Sequence, residues 1–388
     1  MEKKDKNLNV PNLRFPEFSG EWEKYSLNDI STIYGRIGFR GYTVADIVEK
    51  GEGAIALSPT NIDSNCLTYE KDNTYISTYK YEESPEIKIF AGDIIFVKTG
   101  STVGKVAFVD NIIDRTTLNP QLVVLKQVKC NPYFLYLLMA APCFQKHIKR
   151  ITVGGAVPTL SQNEMGRIGI NLPPNAEQDR ISALFKLLNY RIETQKKIIE
   201  DLKKLKDAIR TKLFTSLESH CNEYDEIRNM LHYEQPSAYL VNSTEYSEDY
   251  PTPVLTANKA FILGYTDEEQ GVYDKGDCII FDDFTMDLKY VTFPFKVKSS
   301  AIKILTPKQN IDLYFIYEYL LYLGLVSEEH KRHYISEIES MNIIHPQLKE
   351  QRQISQALRS LEMQVGNAIA LQNLLVKQKQ HFLSRMFI

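Results

Sequence analysis

Residues 172–217 read LPPNAEQDRISALFKLLNYRIETQKKIIEDLKKLKDAIRTKLFTSL, and this stretch decides the fold. Pro173 and Pro174 end whatever precedes them, and from Ala176 to about Leu217 there is neither Gly nor Pro, so the pattern predicts one uninterrupted helix. At 1.5 Å per residue it spans about 60 Å, roughly twice the diameter of a small domain. Leu184, Leu188, Ile198, Leu202, Leu205 and Ile209 follow an alternating four-three spacing, with Arg191 and Gln195 filling the two remaining positions. That is a heptad seam, and a seam needs a partner helix. The lysines at 196, 197, 203, 204 and 206 lie among Glu200, Asp201 and Asp207 and read as a solvated face.

The partner is supplied by the same chain. Pro346 matches Pro173, Glu350-Gln351 matches Glu177-Gln178, and Ile354 matches Ile181; the second seam then runs through Ala357, Leu361, Gln364, Ala368, Leu371, Leu375, Gln378 and Phe382. Both helices finish alike, Lys212-Leu213-Phe214 against Arg385-Met386-Phe387. Upstream, Gly92-Asp93-Ile94-Ile95-Phe96 is answered by Gly276-Asp277-Cys278-Ile279-Ile280-Phe281, and Pro132-Tyr133-Phe134 by Leu313-Tyr314-Phe315. The expected fold is therefore α/β (α+β): a globular segment 1–175, a coiled-coil helix 176–220, a second globular segment 221–348 and a second helix 349–388. An antiparallel pairing of the helices would give the chain an internal pseudo-twofold repeat. Such a repeat suits a ligand with two separated sites, and duplex DNA, whose grooves recur every ~34–36 Å, is the obvious one.

With 388 residues, 43% of them hydrophobic and 24% charged, the chain can bury at least two cores. No run approaches 18 apolar residues, and MEKKDKNLNV lacks an apolar leader region, so no membrane span or signal peptide is expected and the cytoplasm is. Cys66, Cys130, Cys143, Cys221 and Cys278 form no C-x-x-C pair, which speaks for reduced thiols and against both a disulfide framework and a zinc knuckle; no metal site is expected. The net charge of −3 hides an uneven distribution: +1 over 1–175, +3 over 176–220, −11 over 221–348 and +4 over 349–388. The acidic third segment offers little attraction to phosphates, so either a partner completes a DNA clamp or the chain binds no DNA.

Several motifs carry the resemblance to a known family. Residues 11–22, PNLRFPEFSGEW, resemble the opening segment of type I restriction-modification specificity subunits. Gly92-Asp93-Ile94-Ile95-Phe96 with Thr99-Gly100-Ser101-Thr102-Val103-Gly104-Lys105 resembles a strand and turn of their target recognition domains, and Leu172-Pro173-Pro174 with Glu177-Gln178 their central region. In the second half Tyr233-Glu234-Gln235-Pro236, Pro253 to Lys259 and Ile279 to Thr285 are similar to one class of second recognition domain. The resemblance implies two recognition domains, each reading one half of an asymmetric bipartite site on double-stranded DNA. It also implies helices that dock two methyltransferase subunits, which restriction subunits then join.

No catalytic residue and no cofactor is expected. Thr99 to Lys105 lacks one spacer residue and the closing Ser/Thr of a phosphate loop. Asn131-Pro132-Tyr133-Phe134 lacks the second proline of an adenine methyltransferase signature and falls at a helix start. Asp72 with Glu86 and Lys88 is a chance spacing in a chain with 49 acids, and the seven histidines show no metalloprotease or triad pattern.

For base reading the suited side chains are Arg and Lys for guanine, Asn and Gln for adenine, and Asp or Glu for cytosine. In the first segment the candidates are Arg36 and Arg40 in a glycine-bearing basic loop, then Ser58, Thr60 and Asn61. Lys98, the turn residues Ser101, Thr102 and Lys105, and Thr152 with Gly154 follow. In the second they are Tyr233, Gln235, Asn258, Lys259 and Tyr265, then Asp283, Thr285 and Lys289. A competing reading is a coiled-coil scaffold that joins proteins without sequence-specific DNA binding.

Overall fold

The computed structural model describes residues 9–70, 72–152, 157–256, 261–327 and 332–388. It forms two compact units, Met1–Thr194 with Gln372–Ile388, and Gln195–Leu371. The division falls inside both long helices, Asn175–His220 and Leu348–Arg385.

The first unit is built on a six-stranded sheet in the order Thr32–Gly35, Leu122–Lys126, Ile94–Val97, Val106–Phe108, Cys66–Leu67, Ile62–Asp63. Its central strands are buried on both faces, and the two-residue alternation divides their side chains between two cores. Ile94, Phe96, Val123 and Leu125 join Trp22 and Phe134. Ile95, Val97, Leu122 and Val124 join Ile55, Leu57 and Leu118, which come from a second, four-stranded sheet in which Thr116–Leu118 runs parallel to Ala54–Leu57. The helix Pro132–Ala140 is apolar on every side and correspondingly buried from Tyr133 to Met139. A two-stranded ribbon pairs Glu23–Ser26 with Gly169–Leu172 just before the first long helix.

The second unit repeats this plan. Leu231–Glu234, Ile302–Pro307, Cys278–Asp282 and Leu288–Val291 lie in the same order as the first four strands of the six-stranded sheet. Thr252–Leu255 pairs in parallel with Lys296–Val297, Leu313–Leu323 is the buried helix, and Tyr224–Glu226 forms the ribbon with Asn342–Ile344.

A polar joint common to both units fixes the correspondence. Asn131 caps its helix by accepting from Phe134 N at 3.0 Å, its own N–H donates to Gln178 Oε1 at 2.9 Å, and Ser182 Oγ donates to its Oδ1 at 3.1 Å. Asp312 does the same with Phe315 N at 3.0 Å, Gln351 Oε1 at 2.8 Å and Ser355 Oγ at 2.7 Å. Gln178 Nε2 donates to Pro173 O and Gln351 Nε2 to Pro346 O, both at 2.8 Å. The proline breaks thus place a glutamine amide that ties the start of each long helix to a cap otherwise left with unsatisfied groups.

In each unit the two long-helix stretches run antiparallel. In the first, Ile181, Leu184 and Phe185 share a core with Phe382, Leu383, Met386 and Phe387. In the second, Phe214 and Leu217 meet Ile354 and Leu358, and Gln195 Nε2 donates to Ala368 O at 3.0 Å. These last two residues stand 173 positions apart, the offset that superposes the sequence repeat.

The seam differs from expectation in phase at every second position. Leu188, Leu202, Ile209, Leu361, Leu375 and Phe382 are buried or half-buried, as a seam requires. Ile198, Leu205 and Leu371 are 43%, 47% and 44% exposed. The buried positions between are Ile192, Ile199, Lys206 and Val365, each one residue later than the expected Arg191, Ile198, Leu205 and Gln364. Two columns one residue apart compete, and residue type alone favours the one with Leu205; packing selects the other because the Lys206 ammonium meets a buried carboxylate, Glu318, at 2.8 Å.

Candidate nucleic-acid interface

In the first unit the candidate residues gather where three strands end. Asn119 N donates to Leu57 O at 2.8 Å, Lys98 N to Gln121 O at 2.9 Å, and Leu160 N to Lys98 O at 2.8 Å. These bonds bring together the loops beginning at Ser58, Lys98 and Asn119. Gln121 N donates to Asn119 Oδ1 at 2.9 Å and the buried Asn119 Nδ2 donates to Gln121 Oε1 at 3.2 Å. Asn119 and Gln121 were not among the expected residues, although Asn and Gln suit adenine edges and Asn119-Pro120-Gln121 sits between two strand patterns. Thr60 is exposed and Ser58 half-buried, while Asn61 is buried and donates to Thr68 O and Asn73 Oδ1, so Asn61 serves the turn.

Arg36 departs from the expected mobile basic loop. It is 5% exposed, with Nε donating to Leu118 O at 2.9 Å, one Nη to Arg40 O at 3.2 Å and the other to Thr117 Oγ1 at 3.2 Å. Burial pulls its guanidinium pKa down, against the opposing pull of Tyr42, Glu83 and Glu86. It acts as a bracket for the loop rather than a groove contact. Arg40 is the more exposed cation, 3.5 Å from Glu86.

The glycine turn between Ile94–Val97 and Val106–Phe108 has Gly100 at φ 107° and Gly104 at φ 101°, a region that favours glycine. A Cβ on Gly104 would lie 2.7 Å from Gln145 Oε1, and Gln145 Nε2 donates to Gly104 O at 2.8 Å. Lys105 Nζ is turned to Ile62 O at 3.1 Å. The turn's outer residues are Ser101, exposed, and Thr102, half-buried. Thr152 ends the helix Pro142–Ile151 with its hydroxyl on Ile148 O; Gly154 lies outside the described residues.

In the second unit Tyr233, Gln235 and Asp283 converge on Lys303, which sequence reasoning missed. Lys303 Nζ is 3.3 Å from Gln235 Oε1, 3.2 Å from Asp283 Oδ2 and 5.4 Å from the Tyr233 ring centre. The Tyr233 hydroxyl bonds Gln235, and its ring packs on Tyr334. Asp283 is 1% exposed and accepts from His333 N and Tyr334 N at 3.0 and 2.8 Å. Its carboxylate is therefore committed inward, contrary to a base-reading role. Gln235, Thr285 and Lys289 are exposed and Tyr265 half-buried; Asn258 and Lys259 lie outside the described residues.

The two faces occupy equivalent positions of the repeat. The strand registers equate Gly35 with Gln235, and Lys98 follows Ile94–Val97 as Asp283 follows Cys278–Asp282. One frame carries different polar side chains. Beside the seam, Leu187 and Tyr190 in the first unit and Ile198, Leu205 and Met363 in the second are exposed. Among the described residues no group of three or more His, Cys, Asp or Glu is placed to hold a metal ion. No helix among them is long and apolar enough to cross a membrane.

A family model for the type I restriction modification DNA specificity domain matches residues 19–204 and again 226–372. The specificity subunit of type I restriction enzyme EcoR124I/EcoR124II from Escherichia coli is 46% identical over 117 residues, 29% of this chain and 29% of that subunit. A putative MjaX specificity subunit from Methanocaldococcus jannaschii is 25% identical over 405 residues, covering 92% of this chain and 90% of its own length. The crystal structure of a type I restriction-modification S subunit from M. genitalium aligns with a TM-score of 0.60 at 15% identity, over 98% of this chain and 99% of that one.

Proposed function

The chain belongs to the type I restriction modification DNA specificity family, and from that premise we propose that it is a non-catalytic reader of a bipartite, asymmetric target on double-stranded DNA. Each unit reads one half-site through the loops described above. The observation that carries this reading is the repeated frame with unlike residues at equivalent loop positions: Gly35 stands where the second unit has the exposed Gln235, and Lys98 where it has the inward-turned Asp283. A shared frame docks on DNA in the same manner twice, whereas different groups select different bases. The exposed apolar residues beside the seam, such as Leu187 and Tyr190, are the surface on which methyltransferase subunits dock, with restriction subunits joining afterwards. Those partners also supply the phosphate attraction that the −11 segment lacks.

The test is an exchange of residues 1–175 with the matching segment of a relative that has a different target. In complexes assembled with methyltransferase subunits, one half-site changes and the other stays. Change in both halves, or in neither, contradicts the modular reading.

A further inference from the structure

A buried carboxylate of the second unit stands where the first has a leucine. Glu318, fully buried on the helix Leu313–Leu323, receives Lys206 Nζ at 2.8 Å and Arg210 Nε at 2.7 Å. The shared cap joint equates Asn131 with Asp312, so Glu318 corresponds to Leu137. The ring contact Phe134–Phe387 at 5.4 Å corresponds to Phe315–Phe214 at 5.6 Å. Phe214 is thereby equated with Phe387, Arg210 with Leu383 and Lys206 with Lys379. Leu137 is 1% exposed and Leu383 packs on the same core. A lysine thus stands in both halves, but the contact made by Leu137 and Leu383 in one is made by Glu318 and Arg210 in the other.

A buried ion cluster is a weak source of stability, because an apolar replacement of similar volume is often neutral or better. The first unit shows that the apolar version packs. What the cluster changes is the penalty for the wrong match: Leu137 set against Arg210 leaves Lys206 and Arg210 with only their exposed partners, Glu362 at 2.5 Å and Asp207 at 2.6 Å, and Glu318 set against Leu383 loses its guanidinium. Repeat proteins misassemble and exchange equivalent elements during folding, and repulsive elements suppress such alternatives. We propose that Lys206, Arg210 and Glu318 form a key that makes the second globular unit seat on the 206–217 stretch of the first long helix and reject the equivalent stretch at 379–387.

The full-length chain tests this by refolding from denaturant over a range of concentrations, with species counted by size exclusion and light scattering. Glu318→Leu with Arg210→Leu copies the first unit's chemistry; it is expected to keep the helix content and thermal midpoint, yet to yield a several-fold larger fraction of exchanged dimers than the parent chain. Adding Leu137→Glu and Leu383→Arg moves the key to the other half and is expected to return that fraction to the parent's value. The proposal is overturned if the double variant partitions as the parent does, or if the transferred key restores nothing. Failure of the double variant to fold overturns it too, by making the cluster a stabilising element instead.

Discussion

Replacing Ile199 by Ala tests the packing phase of the helix pair. Ile199 is 7% exposed, on the face where Gln195 reaches Ala368 O, whereas its neighbour Ile198 is 43% exposed. Truncating a buried Ile to Ala costs about 2–5 kcal/mol, and a two-helix seam, with fewer neighbours than a globular core, belongs at the lower end, about 2–3 kcal/mol. For a unit of this size each kcal/mol lowers Tm by roughly 2–4 °C, giving a fall of about 4–12 °C. Ile198→Ala loses only partial contact and gains about 0.4 kcal/mol of helix propensity, so its Tm stays within about 2 °C. Differential scanning calorimetry of the isolated chain distinguishes them. Equal shifts, or a larger one for Ile198→Ala, would refute the assigned phase.

Phe387→Ala removes a ring that touches Trp22, Phe134 and Phe185; a loss of about 3–5 kcal/mol is expected, seen as lowered hydrogen-exchange protection across 132–140. Arg36→Ala is expected to lower stability while leaving the salt slope of DNA binding by the assembled complex unchanged. Lys98→Ala, in contrast, should reduce that slope by about one; slopes moving the other way round would reverse the two assignments. The His220 pKa is raised by its bonds to Glu350 and Ser216 O, so its contribution is present in full below the unfolded value near 6.5 and disappears as pH rises through the folded value. Hydrogen exchange at 216–220 should therefore speed up above that range in the parent chain more than in Glu350→Gln, and equal pH responses would dismiss the pair.

Local signals made the frame legible. A stretch without Gly or Pro, a proline before each helix, and two copies of a Gly-Asp strand pattern suffice, because each acts within a few residues. What stayed hidden was set by distant partners. Lys206 looked solvated until Glu318 neutralised it, and Arg36, flanked by glycines, looked mobile until Leu118 O, 82 positions away, captured it. Asp283 offered a suitable acceptor for a cytosine edge, yet the backbone of His333 and Tyr334 had already taken it. The place of the loop Asn119–Gln121 was hidden for the converse reason: a short loop between two strands becomes part of a face only when the sheet brings Leu57 and Lys98 beside it.

The central claim is that two units sharing one frame read two different half-sites. The most direct measurement is to coexpress the chain with matching methyltransferase subunits and map modified adenines across a genome by single-molecule sequencing. The account predicts one methylated motif with two unlike specified halves separated by unspecified bases. A stable complex that methylates no motif, or only a continuous one, would contradict it.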